Sequence, residues 1–139
     1  ALIIAFFLYQ AFSNQTKEEE EEVAQAQKPI HPETIAAYQN NCASCHGVNL
    51  QGQEGWQNTL DDDGHRLAPP LNGTGHTWHH SPEYLFQVIK YGFPSFDPNY
   101  EGQMLGNDSL SEDEVWQLIT YIRQEWPVQI QDVYNSRYE

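Results

Sequence analysis

Cys42-Ala43-Ser44-Cys45-His46-Gly47 decides how this chain is read, because it holds both cysteines among the 139 residues. Two thiols three positions apart, followed at once by an imidazole, narrow the chemistry to a few classes. A zinc ribbon needs a second Cys pair, or a His pair at finger-like spacing after the first thiols. Neither is present. A thioredoxin-like redox centre places its pair at a strand-to-helix turn within a βαβ unit, whereas the flanks here read as helix, turn and loop.

The same five residues match the attachment pattern of a c-type haem. Each thiol adds to a porphyrin vinyl group as a thioether, and the neighbouring His46 is then held beneath the iron, where a neutral ring nitrogen ligates it. A fortuitous motif serving a dithiol function is the competing reading.

Charge is one-sided, with 6 Lys+Arg against 20 Asp+Glu. That balance argues against nucleic acid, whose phosphates call for clustered Lys and Arg. It favours basic protein partners, or a place within a larger assembly. The length suits one domain with additional segments at its ends.

Residues 1–12 are apolar with a single Gln and no charge. Twelve residues of helix rise about 18 Å, short of the ~30 Å hydrocarbon core. They are expected to be the C-terminal part of a membrane-anchor helix, with the acidic flank outside the cytoplasm. A signal-peptide core and a helix packed on a soluble core are the alternatives. Residues 13–29 contain Lys17 and the run Glu18 to Glu22 and read as an acidic linker, a tether or solvated helical spacer.

From Ile30 to Trp126 the composition is that of a compact domain. Pro32 and Glu33 suit a helix start, and a helix to about Asn41 is expected, with Ile35 and Tyr38 on its inward face. Residues 47–68 have four Gly and no sustained periodicity, and read as a long surface loop; Asp61 to Asp63 lack the spacing of a calcium loop. In Ala68-Pro69-Pro70-Leu71-Asn72-Gly73, a proline carbonyl is placed to accept from the second nitrogen of His46 and fix its tautomer. Ser81-Pro82-Glu83 opens a second helix to Tyr91, which Gly92 terminates.

Residues 93–107 contain Met104, the single methionine. A thioether is a soft neutral ligand for haem iron, and a loop before a terminal helix is where such a ligand belongs; filling a gap in the core is the alternative. Ser111 to Glu114 form a capping box with Leu110 and Val115 as a staple, and Val115, Leu118, Ile119, Ile122 and Trp126 make a core stripe that Pro127 stops. Residues 127–139 read as a tail too short to fold alone, laid against a partner.

Helix, Cys42-x-x-Cys45-His46, Pro69-x-Leu71-x-Gly73, helix, Met104 loop and a terminal helix with Trp116 and Tyr121 together resemble a class I c-type cytochrome, over about residues 30–126. The resemblance implies an all-α fold around one covalent haem c. It implies thioether links from Cys42 and Cys45, axial ligands His46 and Met104, and the Pro69 carbonyl as partner of the His46 ring. It further implies a crossing of the first and terminal helices that brings Tyr38 near Tyr121, and haem attachment on the extracytoplasmic side.

This sequence departs from the common pattern at Thr34, where many members have Gly, and at Leu105, where Pro often follows the methionine. His76, His79 and His80 are rival sixth ligands. The expected function is electron transfer by a membrane-tethered monohaem cytochrome, an electron carrier and not itself an enzyme. Its expected partners are other subunits of a respiratory or photosynthetic complex, such as the quinol-oxidising alternative complex III or a cytochrome-containing oxidase. A free-standing anchored shuttle and a five-coordinate haem enzyme or gas sensor are the alternatives.

Overall fold

The computed structural model describes the backbone of residues 2–26 and 29–139, with side chains described for residues 4–17 and 29–139. Ala1, Gln27 and Lys28, which fall in the expected anchor and linker, lie outside the described residues. Helix α1 spans Leu2–Ala26 and continues through the acidic run. Its large apolar side chains stop at Phe12 and charge begins at Lys17. Among the described residues no helix is long and apolar enough to cross a membrane, so the expected membrane-anchor helix is not borne out as a span.

The half that carries Cys42 to His46 opens with α2, Pro32–Asn41, which has Pro in its first turn and Glu33 at its positive end. Thr34 and Tyr38 are its buried residues, whereas Ile35 is 38 % exposed. The expected Ile35/Tyr38 face is therefore rotated: the four-residue step from Thr34 to Tyr38 points at α5, and the small Thr permits close approach where a longer side chain would not. Cys42 ends α2, its N–H donating to Tyr38 O at 2.8 Å, and the chain turns directly into the single turn α3, Ala43–His46.

α4 runs Pro82–Tyr91, as its sequence predicts, with Ser81 Oγ accepting from the Tyr84 N–H at 3.2 Å. α5 runs Glu112–Gln124 behind a complete capping box: the Glu114 N–H donates to Ser111 Oγ and the Ser111 N–H donates to the Glu114 carboxylate at 2.7 Å. Leu110 and Val115 are both buried, forming the staple, and Leu118, Ile119 and Ile122 continue the core stripe. α2 and α4 both pack on α5. At the α2–α5 crossing the Tyr38 and Tyr121 rings meet edge-to-face at 5.4 Å, as the resemblance implied.

The C-terminal residues correct the expectation of a tail. Val128–Tyr138 form helix α6, which packs on the domain itself. Tyr134 is fully buried, its ring 5.0 Å from that of Trp126. α5 accordingly ends at Gln124, before Trp126, and Pro127 caps α6. Residues 47–68 form turns, with a single antiparallel bridge between Leu60 and Arg66 as the only β pairing among the described residues.

Candidate metal centre

α3 is a short platform fixed from both sides. The His46 N–H donates to Cys42 O at 2.9 Å, and Tyr38, reaching from α2, donates its hydroxyl to Gly47 O at 2.8 Å. His46 Nδ1 lies 2.8 Å from Pro69 O. A carbonyl only accepts, so Nδ1 carries the proton and Nε2 is left as the bare, ligand-competent nitrogen. Burial holds the imidazole below its ordinary pKa, against the opposing pull of the Pro69 bond, which keeps the ring neutral.

The Pro69 segment is pressed against the motif by backbone contact. The Gly52 N–H donates to His46 O at 2.7 Å, and a Cβ on Gly52 would lie 2.7 Å from Pro69 C and 2.5 Å from Pro70 N. Gly52 also has φ +71, so glycine is required there twice over. Leu50, fully buried with φ 57, takes the same left-handed turn without being glycine, and its carbonyl accepts from the Leu71 N–H at 2.8 Å.

Cys42 and Cys45 are free thiols on this turn. Burial, and then the neighbouring Cys45, push the Cys42 thiol up to about 11. Redox dithiols and thiolate metal ligands depend on thiols lowered well under their free value. Burial of Cys42 works in the opposite direction and favours a neutral sulfur there.

Met104 sits on the loop between α4 and α5, held mainly by main chain. Its carbonyl accepts from the Phe93 N–H at 3.0 Å and its N–H donates to the Tyr100 hydroxyl at 3.2 Å. Gly92 (φ +70) and Gly106 (φ +77) let the two backbones meet: a Cβ on Gly92 would lie 2.5 Å from Gly106 N, and one on Gly106 2.5 Å from Tyr91 C. The Asn107 N–H closes the loop onto Ile89 O at 2.9 Å.

The rival histidines have other neighbours. His76 lies between Trp56 and His80, His79 is tilted against Trp78, and His80 stacks on Tyr84 at 4.3 Å. Among the described residues no group of three or more His, Cys, Asp or Glu is gathered to hold a metal ion. Asp61 Oδ1 accepts from the Asp63 and His65 N–H groups, so it closes a turn.

The model of the family described as cytochrome C oxidase, cbb3-type, subunit III matches residues 33–122. This chain belongs to that family. It is a class I c-type cytochrome. The cbb3-type subunit III domain is also 35 % identical over 88 residues to the Cbb3-type cytochrome c oxidase subunit FixP of Bradyrhizobium sp. (strain ORS 278), an alignment covering 60 % of this chain. The chain spans about a quarter of that relative's length, 26 %. No solved structure matches it.

The donor set of the cbb3-type domain fits a haem c: a neutral imidazole with one nitrogen engaged and one free, beside two free thiols on the same turn. Sequence reasoning singled out those residues and the Pro69 carbonyl. It missed the supports: Tyr100 beneath Met104, the Gly92–Gly106 approach, and Trp126, whose Nε1–H donates to Leu71 O at 2.8 Å. Paired glycines at the two ends of residues 92–106 were the available signal for the second.

Proposed function

We propose that this domain is a single-electron relay carrying one haem c, attached through Cys42 and Cys45 and ligated by His46 and Met104. The observation that carries this reading is the 2.8 Å contact of His46 Nδ1 with Pro69 O, which turns Nε2 outward as a ligand beside both thiols. A haem bound there supplies a one-electron iron couple. Pro69 orients the imidazole and strengthens its donation to the metal. Met104 would supply a neutral sulfur ligand, which would favour the reduced state of a haem held there and suit electron transfer over substrate binding.

The domain acts within a membrane-bound respiratory complex, on the extracytoplasmic side. The name of its FixP relative supports an oxidase as that complex, in preference to a quinol-oxidising one. Two features support docking beside a membrane and against a basic partner. Ile4, Phe6, Phe7, Leu8, Tyr9 and Phe12 of α1 are 59–72 % exposed, and residues 30–126 carry 3 Lys+Arg against 13 Asp+Glu. A short interfacial association of α1 would use those exposed apolar side chains.

Optical spectroscopy of the purified chain tests the ligation. The ferric protein is expected to show the weak far-red band of a methionine-ligated haem, and the reduced protein to resist carbon monoxide. A missing band with ready carbon monoxide binding would replace the relay by a five-coordinate enzyme or sensor. Co-purification with oxidase subunits in mild detergent tests the assembly; isolation only as a lone monomer would point to a free shuttle.

A further inference from the structure

α6 lies over the segment that holds His46. Trp126, 3 % exposed where α5 passes into α6, donates its Nε1–H to Leu71 O at 2.8 Å. Two residues earlier in the chain, Pro69 O accepts from His46. Pro70 lies between them, and two successive prolines leave the segment little freedom to absorb a displacement. Tyr138, in the last turn of α6, donates its hydroxyl to His79 O at 2.9 Å. α6 and the residue leading into it therefore grip residues 71–79 near both ends.

Gly73 makes this possible. Its φ is +92, and a Cβ there would lie 2.8 Å from Pro127 Cδ and 3.4 Å from both Trp126 Cβ and Ile130 Cδ1. α6 is locked in turn by Arg123, whose guanidinium donates to Asn135 at 2.7 Å and to Glu139 at 2.5 Å and lies over the Tyr134 ring.

We propose that α6 is a clamp that sets the strength of the His46–Pro69 hydrogen bond, with Trp126 and, less strongly, Tyr138 as positioning residues for the imidazole. The inference rests on the haem reading above. Its physical content is indirect: Trp126 fixes the carbonyl strap that polarises the ring. A firm Pro69 acceptor gives His46 more imidazolate character and favours the ferric state. A loosened one gives that stabilisation up.

The test uses the haem-loaded full chain with Trp126→Phe, which keeps an aromatic ring and removes the N–H, and Tyr138→Phe. Tyr134→Phe serves as a control, since it removes a hydroxyl with no hydrogen-bond partner among the described residues and leaves the clamp contacts intact. Two quantities are read: the midpoint potential, and solvent exchange of the His46 Nδ1 proton by NMR. Trp126→Phe is expected to raise the potential and speed the exchange several-fold, Tyr138→Phe to do the same to a smaller extent, and Tyr134→Phe to move neither. Should Trp126→Phe not fold, the Tyr138→Phe result decides alone. Lowered melting temperatures with wild-type potential and exchange would overturn the clamp and leave α6 as packing only. A wild-type chain without a c-type haem spectrum would instead overturn the underlying haem reading, and the clamp with it.

Discussion

The His46 side and the Met104 side of the site each include a glycine pressed on backbone, Gly52 and the Gly92–Gly106 pair, but differ in how many side chains tie them down. Around His46, side chains from distant elements converge on backbone carbonyls: Tyr38 on Gly47, Trp126 on Leu71, and His46 itself on Pro69. Around Met104 the backbone packs on backbone, with Gly92 against Gly106, Phe93 N–H on Met104 O, and Asn107 N–H on Ile89 O. Side-chain contacts can be lost one at a time, whereas a glycine-on-glycine approach tolerates no added atom. The difference teaches that the imidazole is tunable by single substitutions, while the thioether loop is closer to all-or-none.

His46→Ala should break the first side most severely. It removes the proposed ligand and its Pro69 bond together and leaves a cavity, with an expected loss of roughly 2–4 kcal/mol of stability and of low-spin haem absorption. Chemical denaturation beside an optical spectrum reads both. Gly106→Ala attacks the second side through a residue with no side chain. Its positive φ and a Cβ 2.5 Å from Tyr91 C predict a loss of about 3 kcal/mol, together with disappearance of the far-red band while the Cys42/Cys45 attachment persists. An intact far-red band in that variant would contradict the backbone-held loop.

Tyr38→Phe and Tyr100→Phe sharpen the contrast by deleting one hydroxyl on each side. Each is expected to cost about 1 kcal/mol in thermal unfolding. Tyr38→Phe is expected to leave the far-red band alone, and Tyr100→Phe to weaken it, since the Met104 N–H loses its acceptor. The smallest effect is one of pH. Burial, and then the nearby His76 and His79, lower the pKa of His80, which stacks on Tyr84. The unfolded chain therefore takes up the proton first, so this contribution is complete above the ordinary 6.5 and is lost as pH falls below it toward the folded value. Melting temperatures between about pH 7.5 and about pH 5.5 should fall less in His80→Gln than in the parent.

Elements closed by local chemistry were legible in the sequence. Ser81-Pro82-Glu83 and the Ser111 to Glu114 capping box mark helix starts within four residues of chain, and both are found where expected. The Cys42 to His46 motif and the Pro69 carbonyl were legible for a related reason, since each carries its chemistry in a short run. Features that depend on distant partners were not. Val128–Tyr138 shows no continuous apolar face, and its helix becomes stable only once Tyr134 is buried against Trp126. Thr34, not Ile35, faces inward because the α2–α5 crossing sets the rotation of α2. The Trp126 to Leu71 bond joins residues 55 apart, beyond the reach of any periodicity.

The central claim is that a porphyrin is bonded covalently to Cys42 and Cys45. Intact-mass analysis of the chain, produced in a host able to attach haem c, tests it most directly when paired with acid–acetone extraction. The expected result is the polypeptide mass plus one haem, with the colour remaining on the precipitated protein. A bare polypeptide mass, or pigment that leaves entirely with the solvent, would contradict it.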